Sequence, residues 1–593
     1  MSQWIGIFWS TFACLLKNFI PILSWLPNYQ KAWFKNDLAA GLTVGVMLIP
    51  QGMAYAMLAG LPPIYGLYAA TIPLLAYAVF GTSRQLAVGP VAMDSILVMA
   101  GVSAFAQAGS ENFISIAIFL ALMEGLILVA LGLARLGFLV NFLSQPVISG
   151  FTSAAALIIG LSQLKYLLGV PIESSKYLHT IVIQAVEQFD EWSWITLTVG
   201  LGGIVLIKLV KKYTPQLPGA LIAVILGILV EFVFIFSLKG LDIVREVPIG
   251  LPSFSIPNIH WELISELFPL ALTLALVAFM EAVSVAKAIQ AKHKDYEVKP
   301  NQELIAIGLS NVFGSFFQSF SVTGGFSRTA VNDQAGAKTG MASIISALLV
   351  GLTLLFLTPL FYFLPKAILA SVIMVAVFGL IDLKEPIRLW NLEKKDFAML
   401  VATFIATLTL GIANGIGVGV LISIVMVVYR STYPHVAVLG RIKGTNYYRN
   451  ILRFKESESV PEMMILRFDA QLFFANASFF QECILKDIRN EPRRKVVLVD
   501  AQPINNIDSS ALLMLDDLHQ SLREMKICLQ FAGVKGPVRD KIHLSGLEEK
   551  IGKENFFMNV HEGVQVFEKK MNLPPQEIVL QSSDFKQKKP PNS

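Results

Sequence analysis

The sequence predicts an α-helical polytopic membrane domain of fourteen segments in a seven-plus-seven inverted repeat, followed by a small α/β domain. Three observations carry this reading. Long apolar stretches fill about residues 38 to 431 of the 593, and 54% of the chain is hydrophobic against 15% charged; runs near 20 apolar residues are what crosses a bilayer. Two of these runs are broken by Gly and Pro, at Val88-Gly89-Pro90-Val91-Ala92-Met93 and at Thr323-Gly324-Gly325-Phe326-Ser327-Arg328-Thr329. After Arg430 the polarity becomes ordinary and strand-like runs alternate with helical ones, the pattern of a small α/β domain.

The first seven membrane segments are expected to begin near residues 38, 63, 89, 113, 145, 192 and 217, and the second seven near 264, 300, 326, 341, 367, 397 and 415. The interrupted runs are third in their halves, and an odd number of spans per half sets the halves in opposite orientation. The loops agree. Those closing even-numbered spans hold Arg84, Arg135, Lys208, Lys211 and Lys212, then Lys287, Lys292, Lys294 and Lys299, then Lys384, Arg388, Lys394 and Lys395. The alternate loops are poor in basic residues, so the positive-inside rule places both termini in the cytoplasm. The net charge of +5 is the basic excess of these loops and does not suggest nucleic-acid binding. The first 35 residues, with Trp4, Trp9, Pro21, Trp25 and Pro27, lack the basic start and compact apolar core of a cleavable signal. Cys14, Cys483 and Cys528 are the cysteines, with neither metal-ligand spacing nor a disulfide framework.

The broken segments carry the chemistry. At membrane depth, interrupted helices free backbone N–H and C=O groups, tolerated only where protein buries them or they line a watery cavity. A pair in corresponding positions of two halves is the best sequence pointer to a secondary transporter's binding site. Half-helix N-termini favour an anion, and Arg328 adds a full positive charge there. A central membrane Arg costs roughly 2.5–3.5 kcal/mol on insertion scales, which argues for a role in an anion's field; a structural ion pair with an acidic neighbour is the other reading. In the first span, Pro50 kinks the helix, and Gln51 and Tyr55 share one face at i, i+4. They suit either a ligand or a packing helix.

The string from Pro50-Gln51-Gly52 to Tyr65-Gly66-Leu67-Tyr68, together with Gly81–Met93, Met280–Asn332 and the C-terminal domain, resembles the SulP family of sulfate permeases, called solute carrier family 26 in animals. The resemblance implies a fourteen-span fold like that of uracil permease, divided into core and gate subdomains, a homodimer, and a cytoplasmic STAS domain (the sulfate-transporter and anti-sigma-antagonist module). It also implies an anion pocket between the N-termini of spans three and ten with span one at its side. The matching positions are Gln51, Tyr55, Val91, Ser327 and Arg328. Glu281, alone in the apolar run Leu276–Ser284, matches an acidic position that the family associates with coupling to a proton or to sodium. An acid that binds a proton when a dianion binds lowers the electrical cost of carrying both. Permanent pairing of Glu281 with Arg328 or Lys287 is the competing reading. Two further intramembrane acids stand outside the family pattern. Asp94, one turn past Pro90, either offsets the charge of Arg328 or is a second candidate for binding the coupling cation, and Glu124 is expected to make a polar contact between spans.

The expected domain limits are a cytoplasmic N-terminal segment 1–37, a transport domain 38–433, a linker 434–459, a STAS domain 460–572, and a polar tail 573–593 expected to be disordered. Within the STAS domain, strands are expected at Met463–Phe468, Gln471–Phe474, Lys495–Asp500 and Ile527–Ala532, and helices at Ser478–Ile488 and Ser509–Met525. Ser510 matches a serine that is phosphorylated in soluble STAS proteins, while Asp508 or Ser509 as a plain helix cap is the simpler reading.

No Gly-rich phosphate cradle, metal spacing or nucleophile–base motif is present in the sequence, so neither an enzyme nor a cofactor is expected. What is implied is secondary active transport of a small inorganic anion, sulfate favoured, in proton symport by alternating access. It would work in the lipid bilayer of a plasma membrane, the inner one if bacterial. A bicarbonate or chloride carrier or exchanger, sodium-coupled or not, and a channel-like anion-binding protein stay open as alternatives.

Overall fold

The computed structural model describes residues 19–138, 144–172, 178–214, 219–236, 240–379 and 381–571. Residues 1–18 of the N-terminal segment, with Cys14, and the tail expected to be disordered lie outside the described residues. The chain divides into two compact units, Met1–Ser423 and Ile424–Ser593.

In the first unit, seven helices among the described residues are long and apolar enough to cross a membrane: Lys31–Leu58, Pro63–Phe80, Glu111–Leu133, Gln145–Leu168, Trp194–Tyr213, Trp261–His293 and Met341–Phe363. Shorter apolar helices include Ala92–Val102, Gly219–Phe234 and Lys366–Phe378. The first helix begins at Lys31 rather than near residue 38. Its opening turns carry Lys31, Lys35 and Asp37, and an apolar criterion passes over residues that extend a helix beyond the hydrocarbon. This helix continues through Pro50 without a break, and it crosses the next one where a Cβ built on Gly66 would stand 1.9 Å from the Gly52 carbonyl oxygen. Only glycine permits that approach, as in the small-residue contacts of membrane helices.

Packing partners come from opposite halves of the sequence. Glu111–Leu133 lies against Pro300–Ser315, Lys31–Leu58 against Met341–Leu352, Gln145–Ser162 against Lys394–Leu410, and Trp194–Tyr213 against Lys366–Phe378. Two buried carboxylates tie turns to this frame. Asp37 accepts from Lys338 N at 2.6 Å, Thr339 N at 3.1 Å, Thr339 Oγ1 at 2.7 Å and the Tyr29 hydroxyl at 3.1 Å. Glu303 accepts from Tyr77 Oη at 2.9 Å, Thr82 N at 2.7 Å, Thr82 Oγ1 at 2.5 Å and Ser83 N at 3.3 Å. Hydrogen bonds to a charged acceptor are among the stronger ones, and these fix the chain just before one broken segment and just after the other.

The second unit is an α/β domain on a seven-stranded sheet. Met463–Phe468, Val496–Asp500, Cys528–Ala532 and Phe556–Phe557 pair in parallel, with Val436–Ile442 added antiparallel beside Met463–Phe468. Helices Ala477–Asn490 and Ser509–Glu524 bury Phe480, Ile484, Leu515 and Leu518 in its core. Two expectations are corrected. The stretch 434–459, read as a linker, carries Val436–Ile442 and the short strands Tyr448–Asn450 and Ser457–Glu458 paired to it; in the apolar run Val436–Leu439, Ala437 and Leu439 are buried and Val436 and Val438 partly so once Met463–Phe468 supplies backbone partners. Gln471–Phe474 is not a strand but makes a single bridge, Leu472 to Ile507, because Asn476 folds the chain back there. The Asn476 amide donates to Gln471 O at 2.9 Å and accepts from Phe473 N at 3.0 Å.

Candidate anion-binding site

The two Gly-containing breaks meet. Val88–Gly89 and Thr323–Gly324 form a two-stranded antiparallel ribbon, Val88 opposite Gly324 and Gly89 opposite Thr323. Each strand then turns into a half-helix, Ala92–Val102 in one case and Phe326–Gln334 in the other. Because the strands are antiparallel, the half-helices run in opposite directions and meet with their N-termini. The residues before them, Val91 and Gly325, are extended, and neither helix start is capped by a side chain. The first-turn N–H groups of both helices therefore have no side-chain acceptor, and both positive dipole ends converge.

Polar ties hold the ribbon. Gly325 N donates to Ala87 O at 3.1 Å, Ala87 N to Thr329 Oγ1 at 3.0 Å, and Thr323 Oγ1 to Ala278 O at 2.6 Å. Gln85 links both broken segments: its side-chain amide nitrogen donates to Ala337 O at 3.0 Å, and its main-chain carbonyl accepts from Asn332 Nδ2 at 2.8 Å. Gln85, with Asp37 and Glu303, positions the site, a role the sequence analysis did not assign. The available signal was an acid or amide beside a Gly/Pro break.

Arg328 lies in the first turn of Phe326–Gln334 and is 2% exposed. Its Nη1 donates to Pro90 O on the opposite segment at 2.6 Å, while Nε and Nη2 have no protein acceptor. Among the described residues it makes no ion pair, so the structural-pair reading is not what the geometry presents. The guanidinium lies flat against the ribbon: Nη2 is 3.5 Å from a Cβ built on Gly89 and 2.7 Å from one built on Gly325. Any side chain at 325 would displace it.

The other expected residues gather around this point. Tyr55, 7% exposed, is within electrostatic reach of Arg328 and Glu281. Gln51, one turn earlier on the same helix, is 4% exposed. Val91 is buried beside Pro90, and Ser327 is exposed next to Arg328. Glu281 sits half-buried in Ile264–His293, with Oε2 lacking a donor. Asp94 and Glu124 are fully buried close by, and Asp94 feels the charges of both Glu124 and Glu281. The polar contact expected of Glu124 is present: Ser321 Oγ donates to its Oε2 at 2.5 Å. An uncapped pair of helix N-termini with a buried guanidinium is chemistry for an oxyanion, and carboxyls beside it are chemistry for a proton.

In the α/β domain, Asp508 caps Ser509–Glu524, accepting from Ala511 N at 2.8 Å through one oxygen and from Phe474 N at 2.9 Å through the other. Ser510 is exposed in the first turn. The cap is a full structural use of Asp508, worth typically about 1 kcal/mol.

Two families match the chain, the sulfate permease family over residues 34–403 and the STAS domain over residues 454–563. Sulfate transporter 4.1, chloroplastic, of Arabidopsis thaliana is 40% identical over 570 residues, covering 93% of this chain and 83% of that protein. High affinity sulfate transporter 2 of Stylosanthes hamata is 33% identical over 575 residues, covering 93% and 87%. Among solved structures, the murine solute carrier 26 family member A9 anion transporter in the inward-facing state superposes with a TM-score of 0.85 at 27% identity, covering 94% of this chain and 95% of that one. The transmembrane domain of a cyanobacterial bicarbonate transporter shares the fold over 67% of this chain, with a TM-score of 0.58 at 22% identity.

Proposed function

This chain belongs to the sulfate permease family, a family of membrane transporters with a C-terminal STAS domain, and we propose that it carries sulfate across its membrane in symport with protons by alternating access. The observation that carries the reading is Arg328: a buried guanidinium at two converging, uncapped helix N-termini, with two nitrogens directed at no protein acceptor. A divalent oxyanion offers such a site what it lacks, namely acceptor oxygens and two negative charges. The curated relatives named above are sulfate transporters, which favours sulfate over bicarbonate or chloride.

In this reading the anion rests between the half-helices. Backbone N–H groups and Ser327 contact it, Arg328 supplies the field, and Val91, Gln51 and Tyr55 form the wall. Glu281, within the field of Arg328, takes up a proton as the anion binds. The physical need is electrical. Moving one charge through a 100 mV potential costs about 2.3 kcal/mol, so a dianion entering an interior-negative compartment needs co-transported protons to offset that cost. The helices from both halves that bear the half-helices rock as a unit against the remaining helices, exposing the pocket to each side in turn. Both termini lie in the cytoplasm, and the chain works as a homodimer.

The test is a competition screen. Sulfate, bicarbonate, nitrate and chloride are offered to the purified protein at two pH values, read by thermal shift and by flux in proteoliposomes. Sulfate should stabilise and compete best, and better at the lower pH. Preference for bicarbonate, independent of pH, would contradict the reading.

A further inference from the structure

Beside the anion pocket, two carboxyl groups are left over by the account above. Asp94 lies in the first turn of Ala92–Val102 and is fully buried; Ser321, whose hydroxyl is given to Glu124, is the donor beside it, and neither carboxyl oxygen has a hydrogen bond of good geometry. Glu124 lies midway along Glu111–Leu133, is fully buried, and has no donor to Oε1, Ser321 serving Oε2 alone. The helices packed around Asp94 are Lys31–Leu58, Glu111–Leu133, Gln145–Ser162 and Ile264–His293. The titratable groups they bring to this region are Tyr55, Glu124 and Glu281, and Gln145–Ser162 has none. Pro300–Ser315, packed against Glu111–Leu133, contributes Glu303, which is committed to Tyr77, Thr82 and Ser83. The charge of Arg328 acts on Glu281 and Tyr55.

Two neighbouring carboxylates with three oxygens lacking a good hydrogen bond and no cation of their own are a state that a dry interior does not support. A hydrogen supplies what they lack, and among the described residues no group of three or more acidic, His or Cys side chains is placed to hold a metal ion. Both acids are also joined to the pocket. Asp94 is carried by the half-helix whose N-terminus faces the anion, and Ser321, the partner of Glu124, lies two residues before the ribbon strand Thr323–Gly324. A dianion arriving at that N-terminus raises the electrostatic cost of a negative charge at Asp94, and a proton removes it. Binding of the two is thereby linked.

We propose that Asp94 and Glu124 together form a second proton-binding site, which takes up one proton when the divalent anion binds and, with the proton at Glu281, makes transport two protons per sulfate. The inference rests on the sulfate–proton reading above. The charge balance is complete: two protons and one sulfate dianion cross as a neutral set, Glu281 gaining one proton and the Asp94–Glu124 pair sharing one on one side, and both being released on the other.

The test uses the full-length protein in proteoliposomes, radiolabelled sulfate and a valinomycin-clamped potential. At equilibrium a two-proton symporter should accumulate sulfate 100-fold per unit of pH difference and ignore the voltage. The double variant Asp94→Asn/Glu124→Gln should fall to tenfold per unit and become voltage-sensitive, and Glu281→Gln should do the same on its own. If the double variant keeps the 100-fold ratio while Glu281→Gln loses it, the second site is overturned and the Glu281 assignment stands. The reverse pattern overturns Glu281 and upholds the pair. Calorimetry on the wild type, in two buffers of different ionisation heat, counts protons without any substitution: more than one proton taken up per sulfate bound supports the site, and one or fewer overturns it.

Discussion

Replacing Arg328 with alanine takes a full positive charge from the meeting point of the two half-helices and also leaves the buried Pro90 carbonyl without its donor. The guanidinium lies against Gly89 and Gly325, and contact of an anion with the helix N-termini is taken to put it about 4–5 Å away. At that distance, with an effective dielectric near 20, one unit pair is worth about 3–4 kcal/mol, and a dianion gains twice what a monovalent anion gains. Desolvation of both partners offsets much of this, and the helix N-termini remain. A net loss of about 3 kcal/mol for sulfate, roughly 100-fold in Kd, against about 1.4 kcal/mol, tenfold, for a monovalent anion is the expectation. Titration of the purified variant with sulfate and with nitrate, read by thermal shift or calorimetry, measures both. Arg328→Lys keeps the charge without the planar fork and should preserve the divalent preference at intermediate affinity. Unchanged sulfate affinity would refute the reasoning, as would an equal loss for both anions that lysine fails to relieve. The latter pattern is that of a residue which only holds the ribbon together.

Gly325→Ala should give a folded protein with about tenfold weaker sulfate binding, since its Cβ would stand 2.7 Å from Arg328 Nη2 and push the guanidinium off Pro90; wild-type affinity would show that the guanidinium position is unimportant. Glu281→Gln should keep anion binding and anion-for-anion exchange while the pH dependence of sulfate affinity falls from two linked protons to one; an unchanged profile places both linked protons elsewhere. A fragment 433–571 should unfold in one transition, whereas a fragment starting at 460 lacks the strand Val436–Ile442 and should show a clearly lower Tm; equal Tm values would mean that strand adds nothing. In the same fragment, burial opposes the charge of Asp469, but hydrogen bonds from Arg467 and His435 outweigh it and hold this carboxyl below its ordinary value. Such a group stabilises above its unfolded value near 3.9 and loses that contribution as pH falls through the lower folded one. Acid melting should therefore steepen below about pH 4, and Asp469→Asn should soften it.

What the sequence makes legible here is what backbone chemistry dictates locally. Gly89-Pro90 and Gly324-Gly325 cannot continue a helix, so the breaks, and Arg328 one turn beyond the second, stand out before any coordinates. Ser509–Glu524 and Val496–Asp500 are readable for the same local reason, a cap or an unbroken apolar run. What is not legible depends on partners far along the chain. Val436–Ile442 is a strand because Met463–Phe468 accepts its backbone, and Lys31–Asp37 is helical because Asp37 binds the turn at Lys338–Thr339. Glu303 and Asp37 read as ordinary helix-end acids until those partners are seen. The gathering of Asp94, Glu124 and Glu281 has no sequence signature at all, since no spacing connects three helices.

The most direct test of the central claim is uphill sulfate accumulation by the purified full-length protein in proteoliposomes under an imposed proton gradient. Labelled sulfate should concentrate inside vesicles whose lumen is alkaline, collapse when a protonophore is added, and fail to concentrate in the Arg328→Ala protein. Sulfate entry that merely equilibrates, indifferent to the protonophore and to the loss of Arg328, would contradict the account.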